Sequence, residues 1–268
     1  MARAANWEDC RTETCKNKVK SLNDFKNSML DFPCTFNLVL PNLTPDLTVT
    51  SKASGLTEPY LAKHNCRRLK HELRDESDDE DFEEAVWKKN FLTRILYELD
   101  GDVMKATKLN QKIMRLETNS NNLTALANSA FLHFHNQEIK KAMEVLKKLR
   151  ELKQADAAVF KGLKVQALIE QAYAFRKLGG SSNLLCAIQL LTTVTDFVPE
   201  DEKVKFMLAL VYRRCTSMML YTENSERIDR KKHALEAANR LHELGTTAKD
   251  KSIRAAAIAE LAFLRKGD

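Results

Sequence analysis

Leu126-Ala127-Asn128-Ser129-Ala130-Phe131-Leu132 is the run on which the fold turns. Its apolar residues recur at three- and four-residue spacing, the period of a helix that faces a core. A small residue, Ala130, sits midway along it. A second, Ala142, follows 12 residues later, early in the next apolar stretch from Ile139 to Lys153. Between the two stretches Asn136 and Gln137 supply a turn, so the helices fold back on each other. Alanine at both positions lets their axes approach more closely than larger side chains would. Working outward, Ala172 with Ala187 and Ala209 with Ala234 repeat the pairing across longer connections.

The helical pattern covers most of the chain. Phe91, Ile95 and Leu99 line one stripe closed by Asp100-Gly101; Val103 to Glu117 follow, and Leu123 to His135 precedes Ile139 to Lys153. Ala157 to Leu178 ends at Gly179-Gly180, which suits a left-handed C-cap. Leu184 to Phe197 runs into Pro199-Glu200-Asp201-Glu202, where proline fits a first helical turn and three acids complement the helix dipole. Lys203 to Tyr221, Arg230 to Leu244 and Ser252 to Arg265 complete nine predicted helices.

Composition agrees. Of 268 residues, 44% are hydrophobic and 30% charged, with 7 Gly and 5 Pro, which favours long helices over a turn-rich sandwich or barrel. No apolar run approaches the roughly 20 residues of a membrane-spanning helix, and Met1 to Lys20 is too polar for a secretory leader, so a cytoplasmic protein is expected. The six cysteines, at 10, 15, 34, 66, 186 and 215, form no CxxC pair and predict reduced thiols, with neither a zinc site nor any cofactor.

The chain changes character near residue 80. Four of the five prolines fall before residue 60. Cys34, Phe36, Leu38 and Leu40 alternate with Thr35, Asn37 and Val39 in a strand-like pattern with no sheet to join, which predicts an extended segment along the helices. Asp75-Glu76-Ser77-Asp78-Asp79-Glu80-Asp81 reads as an acidic linker, and the acids after Ser77 suit an acid-directed kinase. Charge is uneven within the net +6: residues 1–80 hold 12 Lys+Arg against 13 Asp+Glu, and the remainder 31 against 24. The expected division is an irregular segment with its acidic linker over 1–80 and a helical repeat domain over 81–268. Its units fall near 82–117, 123–154, 157–198 and 200–244, with a partial unit at 252–268.

These residues resemble the tetratricopeptide repeat family. Leu126 stands where the motif has its aromatic, Asn128 where it commonly has asparagine, and Pro199 falls 12 residues after Ala187, like the motif's closing proline. The helix B alanines at 106, 142, 187 and 234 are 36, 45 and 47 residues apart, against a usual repeat of about 34. Arg94 takes the small helix A position of the first unit, although Gly101 and Ala106 fit. The long third helix A and the connection from Cys215 to Asp229 resemble the interferon-induced tetratricopeptide-repeat group. The resemblance implies an all-α, right-handed superhelix of about nine antiparallel helices, and no biochemical activity.

No catalytic constellation stands out. GxxxxGK[ST], GxSxG and HExxH are absent, and His133 and His135, two apart on a helix, point to different faces and cannot chelate one metal. A non-catalytic scaffold is the expectation. In the tetratricopeptide register the groove would carry Phe131, Phe134, Tyr173, Arg176, Lys177, Phe206, Arg213, Arg214 and Arg254. That aromatic floor with a basic end suits an extended acidic peptide or protein segment. The plain alternative is that these cations solubilise the array or pair with neighbouring helices. RNA is the second candidate ligand, by resemblance to the interferon-induced group. Against it, the densest basic cluster, Lys140, Lys141, Lys147, Lys148, Arg150 and Lys153, falls on a B helix and hence on the outer wall. Near the end, Ile258, Leu261, Ala262 and Leu264 form an apolar stripe with no following helix. That predicts self-association, a partner, or a longer product of which this chain is the N-terminal part.

Overall fold

The structure is a computed structural model that describes residues 24–25, 27–37, 68, 70–73, 82–116, 121–179, 181–218 and 227–266. The expectations for Leu38 to Leu40, for the stretch from Pro41 to Thr57, for the acidic run with Ser77 and for the loop before Arg227 lie outside these residues. Among the described residues there is no strand, and from residue 82 onward nine α-helices follow in order. They are α1 (Phe82–Asp100), α2 (Val103–Leu116), α3 (Leu123–His135), α4 (Ile139–Ala155), α5 (Ala157–Leu178), α6 (Ser181–Phe197), α7 (Glu202–Met218), α8 (Arg227–Thr247) and α9 (Lys251–Lys266). No described helix is long and apolar enough to cross a membrane.

The chain divides into two compact units, 1–167 and 168–268, with the division inside α5. In the first, α1 packs on α2, α2 on α3 and α3 on α4, while α1 also touches α3. Glu83 and Glu84 lie in the first turn of α1, where carboxylates complement the helix dipole. Gly101 ends that helix at φ 61°, a left-handed conformation that costs glycine little, and Asp102 then accepts from the Lys105 N–H at 2.8 Å to start α2. Asn122 caps α3 in the same way, accepting from Ala125 N–H at 2.6 Å. Every residue from Leu123 to Leu132 is buried, so α3 is the unit's central helix. Between α3 and α4, Gln137 takes φ 61° without being glycine. The turn is fixed by the Glu138 N–H donating to His133 O at 2.9 Å and by a 2.6 Å contact between His133 Nδ1 and Glu138. His133 is therefore a structural histidine. Ala106, Ala130 and Ala142, picked out as close-crossing positions, are fully buried.

In the second unit α6 packs on α7, α7 on α8 and α8 on α9, and α7 also touches α9. Gly179, at φ 70°, ends α5 as its sequence predicted. Ala209, Leu241, Leu244, Ala248, Ile253 and Ala257 form the core, with Phe206 and Leu261 packed against it. Ala172, Ala187 and Ala209 are fully buried, but Ala234 is not; Ala237, nearly one turn further along α8, takes the buried place. The helix predicted from Lys203 starts one residue earlier, at Glu202, but without Pro199 in its first turn. Pro199 and Glu200 form a turn outside the helix, and Asp201 caps it, accepting from Val204 N–H at 3.0 Å. Glu202 reaches instead to the α8–α9 connection, where it accepts from the N–H groups of Lys249 at 2.7 Å and Asp250 at 3.0 Å.

The strand-like expectation at Cys34 to Phe36 does not hold: Thr35–Asn37 is a single 3-10 turn packed against α1 and α3. Upstream, residues 24, 25 and 27–29 are helical, and Phe25, Met29 and Phe32, spaced by four and three, are all buried. An alternation seen over three residues is satisfied equally by a docked turn, because burial is decided by the helices it meets.

Candidate binding surface

Phe131 and Phe134, expected on α3 as the floor of a groove, are packed against Phe25 and Phe36 of the same chain. Phe134 stacks on Phe25 with ring centroids 4.3 Å apart, and Phe131, only 4% exposed, meets Phe25 edge-on at 5.3 Å. The opposite partner of Phe131 is Phe36, stacked at 5.6 Å. His135, exposed at the end of α3, lies 5.0 Å from the Tyr97 ring. Arg94 completes the cluster from α1, its guanidinium 4.7 Å above the Phe36 ring and 2.7 Å from the Glu98 carboxylate. Burial pulls the Arg94 guanidinium below its ordinary range, and the neighbouring Glu98 works the other way. The large residue that spoils the repeat pattern of the first unit is thus a stacking surface for the docked segment.

A polar ladder runs beneath the rings. Asn128 Oδ1 accepts from the Thr35 main-chain N–H at 3.1 Å and from the Thr35 hydroxyl at 2.8 Å. Its amide nitrogen donates to Asn90 Oδ1 at 3.4 Å, and Asn90 donates in turn to Asn122 Oδ1 at 3.3 Å. All four residues are buried, so each amide is spent on a partner. Asn128 entered the sequence reading only as a match to the repeat consensus; Asn90, Thr35, Phe25 and Phe36 did not enter as site residues. At the rim Lys153 donates to Asp31 at 2.9 Å. That hydrogen bond, followed by the charges of Lys153 and Lys164, holds the Asp31 carboxyl below the usual carboxylate range. Deeper, Phe32 meets Phe160 of α5 edge-on at 6.2 Å.

In the second unit the expected basic residues are largely engaged with their own chain. Tyr173 is 1% exposed, with Arg176 and Lys177 each 5.6 Å from its ring centroid. Phe206 packs against the core instead of standing clear of it. Arg213 lies 2.5 Å from Glu260 across α7 and α9, Arg254 donates to Ala248 O, and Arg214 is half-buried on α7. The geometry therefore assembles two of the nine expected residues, Phe131 and Phe134, into one aromatic surface. It gathers three, Tyr173, Arg176 and Lys177, along the end of α5.

Among the described residues no three His, Cys, Asp or Glu side chains come together as a metal site requires, and Cys34, Cys186 and Cys215 are free thiols. No family model matches the chain, and no curated protein matches it.

Proposed function

We propose that this chain is a non-catalytic scaffold, a tetratricopeptide-like superhelix whose odd-numbered helices present a face to an extended, acidic segment of another protein. Two packing features support the superhelix: contacts that skip one helix, from α1 to α3 and from α7 to α9, and full burial of Ala106, Ala130, Ala142, Ala172, Ala187 and Ala209, the small positions of the repeat register. One observation carries the binding reading. A stretch of polypeptide is already held across α1 and α3 by aromatic stacking, by a side-chain amide that reads main-chain N–H, and by a lysine that meets its acid. Those are the means by which helical arrays hold peptides: anchors for apolar side chains, and a hydrogen bond that any residue but proline can donate.

The test is fluorescence anisotropy with two probes, a peptide carrying alternating aromatic and acidic residues and a single-stranded RNA of similar length. Preferential peptide binding, weakened several-fold by Arg213→Glu with Arg214→Glu, is the expected result. Tighter RNA binding with a steep fall in added salt would overturn the reading in favour of a nucleic-acid binder.

A further inference from the structure

We infer that residues 25–36 act as a built-in occupant of a docking face formed by α1, α3, the end of α4 and the start of α5. That face would take, in trans, a partner-protein segment of the same chemistry. The inference rests on the scaffold reading above and specifies its ligand. The recognised element is a helical turn with apolar residues four and three apart, an acid beside the last of them, and a hydroxyl residue directly before an aromatic. In this chain those features are Phe25, Met29 and Phe32, then Asp31, then Thr35 and Phe36.

Three observations favour a ligand over an ordinary part of the core. The energetic layout is that of an interface, with aromatic anchors at the centre and the Lys153–Asp31 pair at the rim, where Asp31 is 64% exposed in its side chain. The contact at Thr35 is made to main-chain N–H as well as to the hydroxyl, so it selects a backbone position. Among the described helical residues, Phe25 and Met29 are buried while the polar Asp24 and Asn27 are exposed, the division expected of a short helical ligand laid in a groove. Tethering raises the local concentration of the built-in occupant, so an external segment competes from behind until the tethered one is released.

The experiment uses the full chain with a specific protease site inserted between residues 50 and 51. After folding, the chain is cut, and a fluorescein-labelled synthetic peptide of residues 22–38 is added in excess. The expected result is exchange: the labelled peptide replaces the cut fragment while the remainder keeps a cooperative melt. A Phe36→Ala peptide should bind at least tenfold more weakly, and a Thr35→Val peptide several-fold more weakly. Placing the substitutions in the peptide leaves folding of the array untouched. If the fragment never exchanges, if the remainder unfolds when it leaves, or if the emptied remainder ignores the peptide, the segment is core and the inference fails. An uncut chain that dimerises by trading this segment would assign the face to self-assembly and overturn the partner assignment. Failure here would leave the Arg213 and Arg214 substitutions with their effect on the acidic probe, so the broader scaffold reading is judged separately.

Discussion

Replacing Asn128 with alanine removes the one acceptor that takes both the main-chain N–H and the hydroxyl of Thr35. The hydroxyl has a second acceptor within reach, Asn90 O at 3.4 Å, whereas the N–H belongs to a residue only 1% exposed and loses its partner. Leaving a buried donor unpaired costs about 1–3 kcal/mol, and weakening the hydroxyl's bond adds about 0.5–1 kcal/mol. The lost contact to Asn90, at 3.4 Å, is too long to add much. The sum, about 1.5–4 kcal/mol, falls on the docking of the segment from Phe25 to Phe36, because that segment and α1 hold every broken contact. At about 1.4 kcal/mol per tenfold, the Thr35 amide hydrogen should exchange roughly tenfold to several hundred-fold faster. The assay is native-state hydrogen exchange on a peptide spanning residues 29–37, with the amides of Leu146 and Leu149 in α4 as internal reference. Unchanged exchange at Thr35 would refute the hydrogen-bond reasoning. Equal acceleration at Leu146 and Leu149 would refute the idea that the segment opens on its own.

Thr35→Val keeps the shape and the main-chain bond but loses the hydroxyl, so its effect in the same assay should be smaller, about 0.5–1.5 kcal/mol. Glu202 is held below the usual carboxylate range by the N–H groups of Asp250 and Lys249. A folded value below the unfolded one stabilises fully above the ordinary glutamate range, about 4.3, and the benefit drains as pH falls through the folded value. Glu202→Gln should therefore melt below the wild type at pH 7, with the gap closing in acid; a gap independent of pH would refute the assignment. Asp156 accepts from Ala158 and Val159 N–H at 2.8 and 3.1 Å, so Asp156→Ala should cost about 1 kcal/mol in a denaturant melt. On α9, Leu261 packs against the core whereas Phe263 is 65% exposed. Leu261→Glu should destabilise by about 1–3 kcal/mol and Phe263→Glu by less than about 0.5 kcal/mol, a ranking that thermal melts can reverse or uphold.

How much of this was legible depended on whether the cause was local. Gly101, Asn136 and Gly179 act on their own turn, so helix ends beside them were placed within a few residues. Ala106, Ala130, Ala142, Ala172, Ala187 and Ala209 could be picked out because the tetratricopeptide register they resemble sets a small residue in each helix of a pair, and all six are buried. Where the connection lengthens, between α7 and α8, the register loses its anchor, and Ala234 was chosen although Ala237 is the buried residue. Pro199 misled for a related reason: the acid that caps α7 is Asp201, and only the neighbouring α8–α9 connection explains what Glu202 does. Phe131 and Phe134 were identified as surface-forming aromatics, but the segment that covers them comes from about a hundred residues away in sequence, as the 93-residue separation of Thr35 and Asn128 shows. No periodicity carries such a pairing. The basic residues were legible as charges and illegible as partners, since Glu260, which meets Arg213, lies on a helix two further along.

Arg94 has a consequence for engineering. A consensus-minded protein designer would replace it with alanine, the residue that the other units carry at their crossings, and would gain regularity in the array. The same change would strip the cation from above Phe36 and open the space it fills beside α3. Grafting this face onto an idealised scaffold therefore means transplanting its worst-fitting residue together with Asn90 and Asn128, and accepting a less stable host for a receptive one.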